Sequence, residues 1–120
     1  MKRGELYRVS LGSKTDTKKQ RVYIIVSRQE LIDSAYSTLV CAPVYTHYEG
    51  LSTQVPVGVA EGLKHASAIR CDELISLLKS RLTDYVGTLP EEKFAELGQA
   101  LSIALGIDGI AIQGVPDTAR

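Results

Sequence analysis

The sequence predicts an α+β fold that is mostly β: a small barrel of antiparallel strands followed by one C-terminal amphipathic helix. Short apolar or alternating segments, separated by polar and glycine-containing turns, fill the chain up to about residue 88, and a helical period begins only there. With 120 residues, of which 44% are hydrophobic, the chain is long enough for one core and too short for two. We therefore expect a single domain over residues 1–120.

The strands are predicted from their hydrophobic patterns. Glu5–Leu11 alternates, as half-buried strands do, whereas Val22–Val26 and Thr38–Val44 are almost continuously apolar, which is typical of central strands. Pro43 fits the end of a strand, because proline cannot donate a ladder hydrogen bond. The segments TQVPV, ASAIRC and YVGTL are further candidates, which gives five to six strands in all.

The connections are predicted to be loops with two short helical segments. RQELIDSAY is long enough for a helix of two turns, and KSRL for a single turn. Gly12–Gln20 and GVAEGLKH are interpreted as loops because of their glycines and polar residues.

The C-terminal helix is predicted from its cap and its period. Thr88 and Glu91 have the spacing of a capping box, and Pro90 lies in the first turn, where its missing N–H has no cost. Spacings of three and four predict one buried face, formed by Phe94, Leu97, Leu101, Ala104 and Leu105. The helix is expected to end at Gly106, and residues 109–120 to form an irregular extension.

Charge is balanced overall but uneven along the chain. Acidic and basic side chains number 14 each, so the protein is not a general polycation. Residues 1–21 nevertheless contain seven basic and two acidic side chains. If the fold keeps this segment on one face, it forms a patch for an anionic ligand; the alternative is an ordinary solvated surface loop.

Sequence motifs of several enzyme classes are absent. There is no glycine-rich phosphate loop, Cys-x-x-Cys pair, His-Glu-x-x-His or Gly-x-Ser-x-Gly motif, so we expect neither a cofactor nor a metal ion. The distant Cys41 and Cys71 are expected to be reduced thiols. Without a secretory signal or a long apolar run, the sequence predicts a cytoplasmic protein that does not contact membranes.

Several segments follow one another along most of the chain: MKRGELYRVSLG, an arginine that opens an apolar strand after a loop, LVCAPV, CDELISLLKSRL and the helix end ALGID. Their order resembles that of the MazF/PemK toxins, and the resemblance covers about residues 2–108. It implies an SH3-like barrel, as in CcdB and MazF, a two-fold homodimer, and metal-independent, sequence-specific cleavage of single-stranded RNA. It also implies a type II toxin–antitoxin system, with a MazE-like antitoxin that occupies the RNA-binding groove.

The family's loop and strand-end motifs match only in part. The loop arginine is Arg21, while Lys14 replaces the family's glutamate. In the strand-end motif, Tyr45 stands where the family has its catalytic threonine, and Thr46 matches the second hydroxyl residue.

Metal-free RNA cleavage requires a base, an acid and donors to the phosphate oxygens. Arg21 suits the donor role, because its guanidinium is planar and always charged. Thr46 could bind a phosphate oxygen, and Tyr45 could offer its phenol, stack on a base or pack at the barrel rim. His47 is the candidate acid or base, with a simple exposed loop residue as the alternative.

Other charged residues are assigned outside the reaction centre. The candidates for contacts to the RNA backbone are Lys14, Lys18, Lys19 and Arg8. His65 is interpreted as structural or peripheral. Asp72 and Glu73 invite an acid/base reading, but neighbours on a strand point to opposite faces, so we expect them not to serve one site.

Two other functions remain open at this stage. One is a CcdB-like toxin of the same fold that binds a protein such as DNA gyrase. The other is a cleavage-deficient member that only binds RNA or antitoxin. An RNA digest beside a gyrase-inhibition assay separates them.

Overall fold

The strands form one curled antiparallel sheet. The computed structural model describes residues 1–10 and 20–107. Its strands are β1 (Glu5–Ser10), β2 (Gln20–Ile25), β3 (Thr38–Tyr45), β4 (Gln54–Val57), β5 (Ser67–Arg70), β6 (Ile75–Leu78) and β7 (Asp84–Thr88). Neighbours follow the order β4-β5-β3-β2-β1-β7, and β6 pairs with the first half of β3. The predicted α+β fold, mostly β with a C-terminal helix, is confirmed.

Helical segments connect the strands and close the chain. The two α-helices are α1 (Gln29–Ile32) and α2 (Phe94–Leu105), and 3₁₀ turns occupy Val59–Glu61, Cys71–Glu73, Lys79–Arg81 and Glu91–Lys93. The single turn predicted at KSRL is confirmed. The prediction of a two-turn helix in RQELIDSAY is wrong, because α1 has only four residues.

β6 is the strand that the sequence prediction missed, so the described residues hold seven strands instead of five to six. Only Leu77 of its four residues is buried, while Ile75 and Leu78 are exposed. A short strand with two exposed aliphatic residues gives no alternating signal, because pairing with β3 decides its conformation.

Both faces of the sheet are covered. On one face, Leu6, Ile24 and Ala42 are fully buried against Leu97 and Ala100 of α2. On the other face, a second cluster is formed by Tyr7, Val9, Tyr23, Ile25, Ile32, Leu39, Cys41, Leu77 and Leu82. β1 is thus covered on both faces at its start, rather than half-buried as its alternation suggested.

The C-terminal helix has the predicted face but not the predicted cap. Thr88 belongs to β7 and its hydroxyl contacts that of Tyr85, so the expected capping box does not form. Pro90 instead precedes the 3₁₀ turn that leads into α2. Leu105 is 56% exposed and lies outside the core, because the buried face drifts away at the last turn. The helix ends at Gly106 as predicted, with φ of 71°.

The segment GVAEGLKH is not all loop, since it contains the 3₁₀ turn Val59–Glu61. Glu61 is 1% exposed; its Oε1 accepts a hydrogen bond from the backbone N–H of Gly58, at 2.6 Å. A Cβ on Gly87 would collide with the carbonyl oxygen of Glu61, so only glycine lets β7 approach this turn so closely.

Cys41 and Cys71 are free thiols, as predicted, and both are buried. Burial raises the pKa of Cys41 to about 12 and that of Cys71 to about 11. Neither described helix is long and apolar enough to cross a membrane. Residues 1–10 and 20–107 contain no cluster of three or more His, Cys, Asp or Glu side chains that could hold a metal ion.

Candidate RNA-binding and cleavage site

Three adjacent strands bring Arg21, Tyr45 and Arg70 to one side of the sheet. Val22 of β2 and Ile69 of β5 both pair with the same residue of β3, Val44. Because side chains alternate along each strand, their neighbours in sequence share the opposite face. Tyr45, at the end of the middle strand, is therefore flanked by an arginine from each side.

The two guanidinium groups stack on the Tyr45 ring. Cζ of Arg21 lies 3.9 Å from the ring centroid, and Cζ of Arg70 lies 4.1 Å from it. Since β3 runs between β2 and β5, the two groups approach the ring from opposite sides. Each distance is well within the range of a cation–π interaction, so the three side chains form one stack.

Acidic residues hold the Arg70 end of this stack. Tyr45 donates its hydroxyl proton to Oε1 of Glu73 at 2.9 Å, and Nη1 of Arg70 donates to Oε2 of the same carboxylate at 3.3 Å. Oε1 of Glu49 lies 4.0 Å from Nη2 of Arg70. Glu49 is itself fixed by Gln54, which donates to its carboxylate and accepts from its backbone N–H.

The electrostatic environment of Arg21 differs from that of Arg70. Within the described residues, no carboxylate lies within 4.0 Å of Arg21, whereas two carboxylates lie that close to Arg70. The one described hydrogen bond of Arg21 is a long one, 3.4 Å from Nη1 to the carbonyl oxygen of Val44. Among residues 1–10 and 20–107, most of its in-plane N–H donors thus have no partner and could bind an anion.

The environment of Tyr45 favours the neutral phenol. Its pKa is raised, first by desolvation and then by the hydrogen bond to Glu73, while the positive charges of Arg21 and Arg70 act in the opposite direction. At neutral pH the hydroxyl is therefore protonated and donates to the carboxylate.

Thr46 and Arg8 meet at a second feature, a pocket of about 150 Å³ on the other side of the strands. Thr46 lines it beside Val22 and Val44, the residues that alternate with Arg21 and Tyr45. The remaining lining residues are Arg8, Leu63, Lys64, His65 and Ser67. Arg8 also forms an ion pair with Asp84 at 3.8 Å. The candidate residues thus divide between the stack and this pocket.

The match to a family of known proteins decides how this site is interpreted. Residues 2–105 match the family described as PemK-like, MazF-like toxin of type II toxin–antitoxin system. The chain belongs to this family.

The PemK/MazF-like toxin is similar to mycobacterial proteins in sequence and structure. It is 28% identical over 92 residues to endoribonuclease MazF3 of Mycobacterium tuberculosis (strain CDC 1551 / Oshkosh), which covers 77% of this chain and 88% of that protein. The structure of Mycobacterium tuberculosis toxin MazF-mt6 has a TM-score of 0.75 at 25% identity, covering 87% of this chain and 98% of its own. An endoribonuclease in complex with its cognate antitoxin, from a mycobacterial species, has a TM-score of 0.77 at 25% identity, covering 90% and 97%.

The other predicted residues of this toxin are two histidines next to β3 and β5 and three lysines. His47 is exposed, two residues after Tyr45. Lys14, Lys18 and Lys19 lie outside the described residues. His65 lies two residues before β5, and its carbonyl oxygen accepts the hydroxyl proton of Ser67.

The sequence interpretation placed Asp72 and Glu73 on a strand, and this is wrong. Both residues lie in the 3₁₀ turn that follows β5. They nevertheless bind different partners. Asp72 accepts a hydrogen bond from Oγ1 of Thr53 at 2.6 Å, while Glu73 faces Tyr45 and Arg70.

Arg70 is the site residue that sequence reasoning missed in this toxin. The sequence carried only a weak signal for this residue. Arg70 lies two residues after Ala68 in the predicted strand ASAIRC, so the two side chains lie on one face of the sheet. What the sequence does not contain is the register of β5 on β3, which decides that this face is the one with Tyr45.

Proposed function

We propose that this PemK/MazF-like toxin is a sequence-specific endoribonuclease that cleaves single-stranded RNA without a metal ion. The observation that carries the proposal is the Arg21 guanidinium near the start of β2, which lies on the Tyr45 ring and makes one long hydrogen bond among the described residues. A guanidinium in this state is suited to bind the nonbridging oxygens of a phosphodiester. The similarity to MazF3, named an endoribonuclease, supports the same activity.

The proposed reaction uses a nucleophile that the RNA itself supplies. The 2′-oxygen forms a bond to the adjacent phosphorus while the bond from phosphorus to the 5′-oxygen breaks. The 2′-hydroxyl proton goes to a base and the 5′-oxygen takes a proton, which leaves a 2′,3′-cyclic phosphate and a 5′-hydroxyl. Arg21 stabilises the charge that grows on the phosphate oxygens, and His47 is our candidate for proton transfer.

The remaining candidates are assigned to contacts with the RNA near the phosphodiester that is cleaved. We assign Tyr45 to the reaction centre beside Arg21, and Thr46, through its hydroxyl, to a phosphate oxygen. Arg8 shares the Thr46 pocket and is assigned to the RNA backbone. Lys14, Lys18 and Lys19 are assigned to the same role, because lysine ammonium groups bind phosphates without base preference.

The partners proposed for the toxin follow from its family. The mycobacterial relative of TM-score 0.77 is described in complex with its cognate antitoxin, and a MazE–MazF complex is known from Deinococcus radiodurans. We propose that this chain likewise forms a homodimer, binds a MazE-like antitoxin and acts in the cytoplasm, where its RNA substrate is found. Neither the matched family nor these relatives favours a CcdB-like action on gyrase.

Digestion of a long defined RNA by the pure protein, in buffer with EDTA, tests the proposal. We expect cuts at a short recurring sequence, with cyclic phosphate and 5′-hydroxyl ends. Arg21→Ala should reduce kcat/KM by at least about a hundredfold while the far-UV circular dichroism stays unchanged. Arg28→Ala, at an exposed arginine outside the stack, is the matched control and should remain active.

Three results contradict the proposal. RNA that stays intact at micromolar protein, with or without gyrase inhibition, removes the nuclease assignment. Full activity of Arg21→Ala removes the role of Arg21. Cleavage that EDTA abolishes removes the metal-independent mechanism.

A further inference from the structure

Tyr45 stands at a position where the resemblance calls for a catalytic threonine, so its role needs an explanation of its own. A tyrosine can act there through its hydroxyl, as a proton donor, or through its ring. The surroundings of the hydroxyl and of the ring indicate which of these roles Tyr45 has.

The hydroxyl of Tyr45 is bound to a carboxylate. Its proton is donated to Glu73 at 2.9 Å, and that carboxylate also binds Arg70. A phosphate that approached this hydroxyl would meet the negative charge of Glu73 at close range, which is unfavourable. The hydroxyl is therefore poorly suited to reach a departing 5′-oxygen.

The ring of Tyr45 differs from its hydroxyl, because it contacts Arg21, the member of the arginine pair with no carboxylate within 4.0 Å among the described residues. The Cζ atoms of Arg21 and Arg70 can be no more than 8.0 Å apart, the sum of their distances to the ring centroid. Two positive charges at this separation repel each other. The π-face attracts each of them and offsets part of this repulsion.

Within the part of the chain that the structure describes, carboxylates anchor the stack at the Arg70 end only. Glu49 and Glu73 fix Arg70, and Glu73 fixes the phenol, so the ring is a rigid surface. Arg21 lies on the same ring at the other end of the stack. Among the described residues, removing the ring would leave Arg21 with one polar contact, the 3.4 Å hydrogen bond to the carbonyl oxygen of Val44.

We propose that Tyr45 positions Arg21 for cleavage as an aromatic spacer, and that its hydroxyl anchors the ring on Glu73 instead of transferring a proton in the reaction. This inference rests on the proposed endoribonuclease function and specifies how one of its residues acts. Arg21 touches the phosphate, whereas Tyr45 and Glu73 act through Arg21.

Two variants that both lack the hydroxyl separate the roles. Tyr45→Phe keeps the ring, and Tyr45→Leu removes it. We expect kcat of Tyr45→Phe to stay within about threefold of wild type with an unchanged pH profile, and kcat of Tyr45→Leu to fall at least about tenfold, since a displaced catalytic group is costly. Tyr36→Leu, at an exposed tyrosine two residues before the start of β3, is the control for loss of a ring and should keep wild-type kcat.

A second measurement does not depend on activity. The Nε–Hε signal of Arg21 in ¹H–¹⁵N spectra, assigned by its loss in Arg21→Lys, should show an upfield ring-current shift in wild type and in Tyr45→Phe. The shift should disappear in Tyr45→Leu. Should Tyr45→Leu fail to fold, Tyr45→Met provides the same comparison.

Several outcomes would overturn the spacer role. If Tyr45→Phe loses as much kcat as Tyr45→Leu, or loses the alkaline limb of the pH profile, the hydroxyl takes part in proton transfer. If Tyr45→Leu keeps both kcat and the Arg21 shift, the ring positions nothing. If the wild type cleaves no RNA, the proposed function fails, and the NMR comparison alone decides whether the ring holds Arg21.

Discussion

Lys93 neutralises the buried carboxylate of Glu61, with its ammonium nitrogen 3.3 Å from Oε2 and 2.8 Å from the carbonyl oxygen of Pro56. Glu61 is 1% exposed, whereas the Lys93 side chain is 28% exposed. This pair joins the turn after β4 to the segment that leads into α2. It therefore ties the helix to the far edge of the sheet.

Removing the lysine should destabilise the protein strongly. Lys93→Met leaves the Glu61 charge buried without its ion-pair partner, so we expect the free energy of unfolding to fall by about 3 kcal/mol. Urea denaturation followed by circular dichroism measures this change. Lys2→Met, at an exposed lysine, should change it by less than about 0.5 kcal/mol. Equal effects of the two substitutions would mean that the buried pair contributes nothing.

Stability should also decline at high pH through Tyr7. Burial, and then its hydrogen bond to Glu5 at 2.9 Å, raise the pKa of Tyr7 from 10 to about 12. The unfolded chain then loses this proton at lower pH than the folded one, so the contribution is present below pH 10 and is lost as pH rises from 10 to 12.

Urea denaturation at a series of pH values from 9 to 11 measures this loss. Tyr7→Phe cannot ionise, so its free energy of unfolding should fall less steeply over this range than that of wild type. Tyr36→Phe, at a tyrosine that is 61% exposed, should follow the wild-type curve. A Tyr7→Phe curve parallel to wild type would exclude Tyr7 as a source of the decline.

RNA affinity should depend on Arg8 through simple electrostatics. With a 2′-O-methyl oligonucleotide, which lacks the attacking hydroxyl, binding can be measured without cleavage. Arg8→Met should weaken binding at low salt and reduce the slope of log affinity against log salt by about 0.7, the value for one phosphate of a single strand. Its ion pair with Asp84 is exposed, so stability should change little.

Arg28→Met is the matched control for that measurement, because it removes an arginine that lines a different pocket. It should leave both affinity and slope unchanged. An unchanged slope in Arg8→Met would mean that the pocket shared with Thr46 does not contact the RNA backbone.

Local patterns predicted much of the fold, and failed where distant pairing decides conformation. The apolar runs around Ile24 and Cys41 became central strands because few other structures can bury both of their faces. The spacing of Thr88 and Glu91 suggested a helix cap, and this was misleading. Thr88 pairs with Glu5 of β1, so β7 extends through Thr88. Tertiary contacts here override a local helix signal.

The candidate site was predicted to a lesser degree. Arg21 and Tyr45 were singled out from motif positions, and they prove to be in contact. Arg70 and Glu73 were not connected with them, because contact across 28 residues between Tyr45 and Glu73 depends on sheet register and on a turn of fixed length. Neither property is written in a local pattern.

The turn Cys71–Glu73 lets one stretch of chain line a single edge of β3 twice, first as β5 and then as β6. A residue inserted in this corner would invert the inward and outward positions of β6 and expel Leu77 from its cluster. The same insertion would carry the carboxylate of Glu73 away from the phenol. The length of the turn Cys71–Glu73 is thus subject to two separate constraints, one from the hydrophobic interior and one from the reaction centre. We expect loops elsewhere in the chain to tolerate length changes far better.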